Sequence, residues 1–169
     1  LPEIMEAINT GDFNYLSKNA ITIIEGSTVP MAAEAIAEKL PFTKEEILSK
    51  WSDTTYLNSL IDKYWFLTDE ILQDGIMFPL EGYIYPETYF VTDAEPTLES
   101  ITYMFLDKAD EELSARKDKI DKCGMSVHDL LSLASVVQNE SLFEVDIPKI
   151  AGVFHNRLKF SIVAKVRFI

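Results

Sequence analysis

The chain has 169 residues, of which 47% are hydrophobic and 25% charged, a composition that buries a core without needing a disulfide or a structural metal. Its formal charge of −13 argues against any partner held by phosphate neutralisation, which excludes nucleic acid as a partner class. The lone Cys123 excludes an intramolecular disulfide framework, and the longest strongly apolar stretch, Leu130 to Val137, is too short to cross a bilayer. The opening residues have no basic stretch followed by an apolar run, so no secretory signal is expected there, and the chain reads as an internal segment of a longer protein.

Leu1, Ile4, Met5 and Ile8 share one helical face, with Pro2 suited to a first turn and Gly11 to the end of a short opening helix. Ala20 to Glu25 reads as a β-branched strand closed by Gly26, and Pro30 to Leu40 as an alanine-rich helix, which together make a small αβα unit. Thr43 and Glu46 have capping-box spacing at the head of a helix through Trp51, and the helical pattern resumes from Asp53 to about Trp65. Pro79, Gly82 and Pro86 predict a turn followed by a mostly extended segment over Tyr83 to Val91.

Leu98, Ile101, Phe105, Ala109 and Leu113 repeat at helical spacing and predict one long amphipathic helix from about Thr97 to Asp118. Gly124 breaks the chain. Ser126, with Asp129 three positions on, starts another helix whose apolar face of Leu130, Leu133, Val136 and Val137 runs forward to Glu140. A last helix begins near Asp146 and Pro148, with Ile150, Val153, Phe154 and Leu158 expected on its buried side.

On the helical wheel Glu140 lies within roughly 20° of Leu133 and 40° of Val136, so a carboxyl group extends an apolar stripe. Such a site disfavours the ionised form and leaves an acid able to donate a proton, as cleavage of a glycosidic bond requires. The same position also suits a solvated helix end. His128, His155 and Cys123 lack the spacing of a zinc site, and neither a nucleophile elbow nor a phosphate-binding glycine loop is present. Tyr83, Tyr85, Tyr89 and Phe90 could stack on sugar rings or pack in a core, and Glu81 and Glu87 flank them.

Three ordered segments resemble the endolytic murein transglycosylases, the YceG-like or MltG family. LEGYIYPETY, Leu80 to Tyr89, is similar to the family's L-E-G-Y-[LF]-[FY]-P-[DE]-T-Y; LASVVQNES, Leu133 to Ser141, to its L-A-S-I-[IV]-E-K-E-[TS]; and IAGVFHNRL, Ile150 to Leu158, to its I-A-[GS]-V-F-x-N-R-L. Upstream, Ile23 to Leu40 resembles the strand, E-G and helix that follow the family's LysM-like portion. The resemblance implies an α+β fold, with a small LysM-like αβ remainder over residues 1–40. A mainly helical YceG-like catalytic portion with short extended segments follows over 41–169 and is expected to be incomplete at its C-terminus.

It further implies that Glu140 is the catalytic acid, since the second acid of E-K-E falls there, while Gln138 and Asn139 replace the first acid and the lysine. Glu140 would protonate the glycosidic oxygen between MurNAc and GlcNAc and then act as base while the muramoyl 6-hydroxyl attacks the anomeric carbon. The product would be a 1,6-anhydro end. Glu81, Tyr83, Asn156 and Arg157 would bind substrate or hold the catalytic helix.

Peptidoglycan glycan strands are the implied partner, with cell-wall synthases nearby, and this chemistry calls for no metal and no organic cofactor. An N-terminal anchor preceding this chain would hold the protein at the cell membrane as a single-pass protein, its catalytic part extracytoplasmic. After N-R-L the family continues with a methionine-containing loop and a Q-[ST]-D-x-T-type stretch that contributes to the cleft, whereas this chain reads KFSIVAKVRFI over 159–169. That departure and the altered Q-N-E string fit a rival reading, a noncatalytic peptidoglycan-binding or scaffold module. A helical partner-binding protein with no glycan role is a third.

Overall fold

The computed structural model describes residues 20–141 and 143–159. The opening helix expected near Leu1 to Ile8 and the divergent tail over 160–169 lie outside them. In chain order the elements are β1 (Ala20–Thr22), α1 (Val29–Ala37), α2 (Lys44–Lys50), α3 (Thr54–Lys63), β2 (Thr88–Phe90), α4 (Leu98–Ser114), α5 (Lys117–Cys123), α6 (Val127–Glu140) and α7 (Ile147–Lys159). Short 3-10 turns occupy Asp69–Leu72 and Glu144–Asp146. The arrangement is mostly helical with one small sheet, an α+β fold.

Local chemistry sets most boundaries. The Thr43 hydroxyl accepts the Glu46 amide at 3.2 Å while the Glu46 carboxylate accepts the Thr43 amide at 2.8 Å, which satisfies two of the amides that a helix start leaves unpaired. Asp53 caps α3 by accepting the Tyr56 amide at 2.7 Å, and Thr97 caps α4 through Ser100. Gly124, with φ +72°, ends α5 in the left-handed conformation that side chains with a Cβ resist.

The long helix expected over 97–118 is two helices. Arg116 leaves helical geometry, with φ −114° and ψ 7°, and its guanidinium donates at 2.7 Å to the Glu112 carbonyl, taking the place of a backbone donor near the end of α4. The apolar periodicity continues through the break, which is why the pattern alone merges the two.

β1 and β2 pair antiparallel, with Ile21 opposite Tyr89. Both residues point inward. Tyr83 to Val91 is otherwise turn and coil, so the extended segment is shorter than expected. The core gathers Ile21 from β1, Ala33 and Ile36 from α1, Ile47 from α2, Leu57 and Leu60 from α3, and Phe105 and Leu106 from α4. Phe105 is edge-on to Tyr89 at 4.6 Å and to Trp51 at 6.5 Å, geometries worth about 0.5–1.5 kcal/mol each beyond simple burial. The described residues before residue 41 therefore share one core with those after it.

α6 and α7 pack on each other beside this core. Leu133 and Val137 are buried there, outside the main apolar cluster. The apolar side of α7 departs from expectation: Val153 and Leu158 are 49% and 45% exposed, while Ile150 and Phe154 are half-buried. Among the described residues no helix is long and apolar enough to cross a membrane.

Candidate functional site

The segment Leu80 to Tyr89 is a connector, and its residues divide between two neighbours. Leu80 is buried and Gly82 turns the chain with φ +83°, so the side chains on either side of it diverge. The Glu81 carboxylate accepts the Val29 amide at 3.0 Å. That amide opens α1, whose own N-cap residue, Thr28, makes no side-chain capping bond, so Glu81 caps the helix and lies favourably against its dipole. Substrate binding or a structural role was expected of Glu81, and its carboxylate has a structural partner in the Val29 amide.

Tyr83, expected to bind substrate or hold the catalytic helix, is enclosed. It is 1% exposed, and its ring lies between Phe66 at 6.0 Å and His128 at 6.2 Å, each inclined by 23°. The phenol oxygen is 3.1 Å from Nδ1 of His128. Burial pushes the Tyr83 hydroxyl well above the ordinary phenol range, with the Glu70 and Asp129 carboxylates adding to the effect. A ring so enclosed cannot stack on a sugar. Of the remaining aromatics in the segment, Tyr89 is buried with its hydroxyl donating to the Tyr85 carbonyl at 2.6 Å, and Phe90 is 52% exposed.

α6 starts where the Ser126 hydroxyl accepts the Asp129 amide at 3.1 Å. Val127 and Leu131 on its first turns pack against the core, and Leu131 also lies beside Gly82. Glu140 is the last residue of the helix, and Ser141 is extended. The withdrawal of Glu140 from water read from the wheel is not found. Glu140 is exposed, because the cover that buries Leu133 and Val137 does not reach the final turn.

Glu140 opens onto a groove of about 320 Å³ lined also by Lys149, Ile150, Val153, Phe154 and Arg157 of α7. The α7 residues recur at intervals of one, three and four, the signature of one helical face. Apolar side chains form much of the wall, and two cations lie in the same groove as the carboxylate. Lys149 pairs with Asp146 at 3.2 Å, and the Arg157 guanidinium sits 5.7 Å from the centre of the Phe154 ring. Arg157 thus shares a groove with Glu140. Asn156 is exposed beside it but is not part of the lining, and Glu81 and Tyr83 belong to the connector.

Sequence reasoning missed Lys149, Ile150, Val153 and Phe154 as groove residues, although their spacing carries the signal. It took the apolar members for core. A larger depression, of about 750 Å³, is lined by Glu45, Lys50, Asp53 and Tyr56 of α2 and α3 and their junction, together with neighbours. It contains no residue of the three motif segments.

The model of the YceG-like family matches residues 1–164, a span that includes all three segments. The chain belongs to the YceG-like family. A Bacillus subtilis (strain 168) protein named endolytic murein transglycosylase is 32% identical over 160 residues, covering 94% of this chain and 44% of the relative. A Streptococcus pneumoniae (strain D39) protein of the same name is 33% identical over 145 residues, 82% of this chain and 26% of its own. The crystal structure of a yceG-like protein from Listeria monocytogenes superposes with a TM-score of 0.78 at 32% identity, over 84% of this chain and 47% of that one. The chain therefore spans less than half the length of these relatives.

Proposed function

We propose that this chain is part of an endolytic peptidoglycan lytic transglycosylase that cuts the β-1,4 bond between MurNAc and GlcNAc in nascent glycan strands, with Glu140 as its acid. The observation that carries the reading is the groove in which Glu140 meets the face of α7 bearing Phe154 and Arg157. A carboxyl group beside an apolar wall suits a sugar, whose ring faces are apolar and whose substituents are polar.

In this mechanism Glu140 gives its proton to the departing GlcNAc oxygen, which is a poor leaving group until protonated. The carboxylate left behind faces the positive charge that develops at the anomeric carbon. It then takes the proton of the muramoyl 6-hydroxyl as that oxygen closes onto the same carbon, which yields the 1,6-anhydro end. Because the nucleophile belongs to the substrate, one carboxyl group serves where most glycosidases need two, and no cofactor enters. Arg157 and Lys149 supply hydrogen-bond donors to substituents along the groove. The whole protein would be held at the cell membrane by an N-terminal anchor, with this portion outside it, near the synthases that extrude the strands and in service of cell-wall assembly.

The test is mass spectrometry of uncrosslinked glycan strands incubated with the complete ectodomain and with its Glu140→Gln variant. Internal cuts with anhydro ends, present in the wild type and lost in the variant, are expected. Strands that bind but stay whole would replace this reading with a scaffold role.

A further inference from the structure

The geometry points to Tyr83 and His128 as a positioning pair, a joint that sets the orientation of the α6–α7 hairpin and, through it, of Glu140. The contact is made at the start of the hairpin. His128 lies in the first turn of α6, and Glu140 is twelve residues on, roughly 18 Å further along a straight helix. A small tilt at the first turn therefore displaces the far end most.

Three observations converge on this joint. Tyr83 is fixed from behind by Phe66, so its ring offers His128 a rigid surface at 6.2 Å and 23°. The oxygen-to-Nδ1 separation of 3.1 Å adds direction to a stack that would otherwise allow rotation. Gly82 sets the connector directly against the next turn of α6, where a Cβ at that position would stand in ordinary contact, 3.7 Å from the Leu131 Cβ. Beyond Leu131 the buried residues of α6, Leu133 and Val137, lie outside the main core, on the part of the helix that shares the hairpin with α7. Tyr83 and His128 touch neither the groove nor its carboxyl group, so their action is through the helix. The link to catalysis rests on the activity proposed above; the joint itself does not.

The experiment uses the complete ectodomain, with Cys123→Ser as background and spin labels at Glu38→Cys on the body and His155→Cys on α7, all exposed positions. His128→Ala removes both stack and hydrogen bond, and Tyr83→Phe removes the hydrogen bond alone. The expected result is a wider label-to-label distance distribution in His128→Ala and a smaller widening in Tyr83→Phe, both variants remaining folded by circular dichroism. In unlabelled protein, kcat falls about tenfold in His128→Ala with KM unchanged, as misplacement of a reacting group predicts. Distributions that match the wild type in both variants would overturn the joint. If the wild type cuts no glycan, the proposed activity fails while the distance distributions still decide the joint.

Discussion

The carboxylate of Glu81 accepts the Val29 amide at 3.0 Å, so helix α1 is capped from a turn fifty-two positions later in the chain. Glu81→Ala removes a cap and a favourable charge at the helix start, and the expected loss is about 1 kcal/mol. Thermal denaturation should show a midpoint lower by a few degrees, with binding of glycan strands unchanged below it. A variant that melts like the wild type but binds strands poorly would return Glu81 to the substrate.

Gly82→Ala should cost about 1–2 kcal/mol. Space is not the reason, since the nearest atom to an added Cβ is an ordinary contact away; the cost comes from forcing an L side chain to φ +83°. Urea titration reads the loss as a lower midpoint with unchanged slope. An unchanged midpoint would mean that the turn relaxes without cost.

The Trp51 indole donates to the Thr102 hydroxyl at 2.9 Å, and that hydroxyl donates to the Leu98 carbonyl at 2.6 Å. Thr102 is 1% exposed, so Thr102→Val keeps the shape and leaves a buried indole N–H without its partner. About 1–3 kcal/mol of stability should go, accompanied by a shift in tryptophan emission. Neither change would be seen if another acceptor took over.

Alkaline stability follows from buried phenols. Burial raises Tyr64, Tyr83 and Tyr89 above the ordinary value of 10.0; the Asp107 carboxylate, which accepts the Tyr64 hydroxyl at 2.7 Å, adds to the first shift, and Glu87 adds to that of Tyr89. The neutral form is the one the fold favours. Their contribution is complete below the unfolded value near 10 and is lost as pH climbs from there toward the folded values. Phenolate absorbance followed with circular dichroism should show these three rings ionising only as helix is lost; ionisation with helix intact would contradict their enclosure.

What was legible in the sequence was local. The capping box at Thr43 and Glu46, the cap at Ser126 and the break at Gly124 each depend on residues within a few positions, and spacing reveals them. Spacing could not show that Arg116 folds back on the Glu112 carbonyl to end α4, because the apolar repeat runs on past it. The connector was the harder case. Glu81 and Tyr83 look like surface chemistry in a Pro- and Gly-rich stretch, and only the tertiary structure reveals that one caps α1 and the other fills the space beside His128. For Glu140 the wheel identified the stripe of Leu133 and Val137, but burial is decided by the neighbour covering each turn, and the last turn is open.

The antiparallel pair of strands delays part of folding during synthesis. Thr22 and Thr88 bond to each other sixty-six residues apart, and the same stretch of chain delivers the Glu81 carboxylate to α1. Emerging from a ribosome, residues 20–40 carry an unpaired strand and an uncapped helix until the stretch around 81–90 follows. Two helices, α2 and α3, are made first, and although α2 packs on α1 the strand edge stays open through that interval, the time when a nascent chain most needs protection from aggregation.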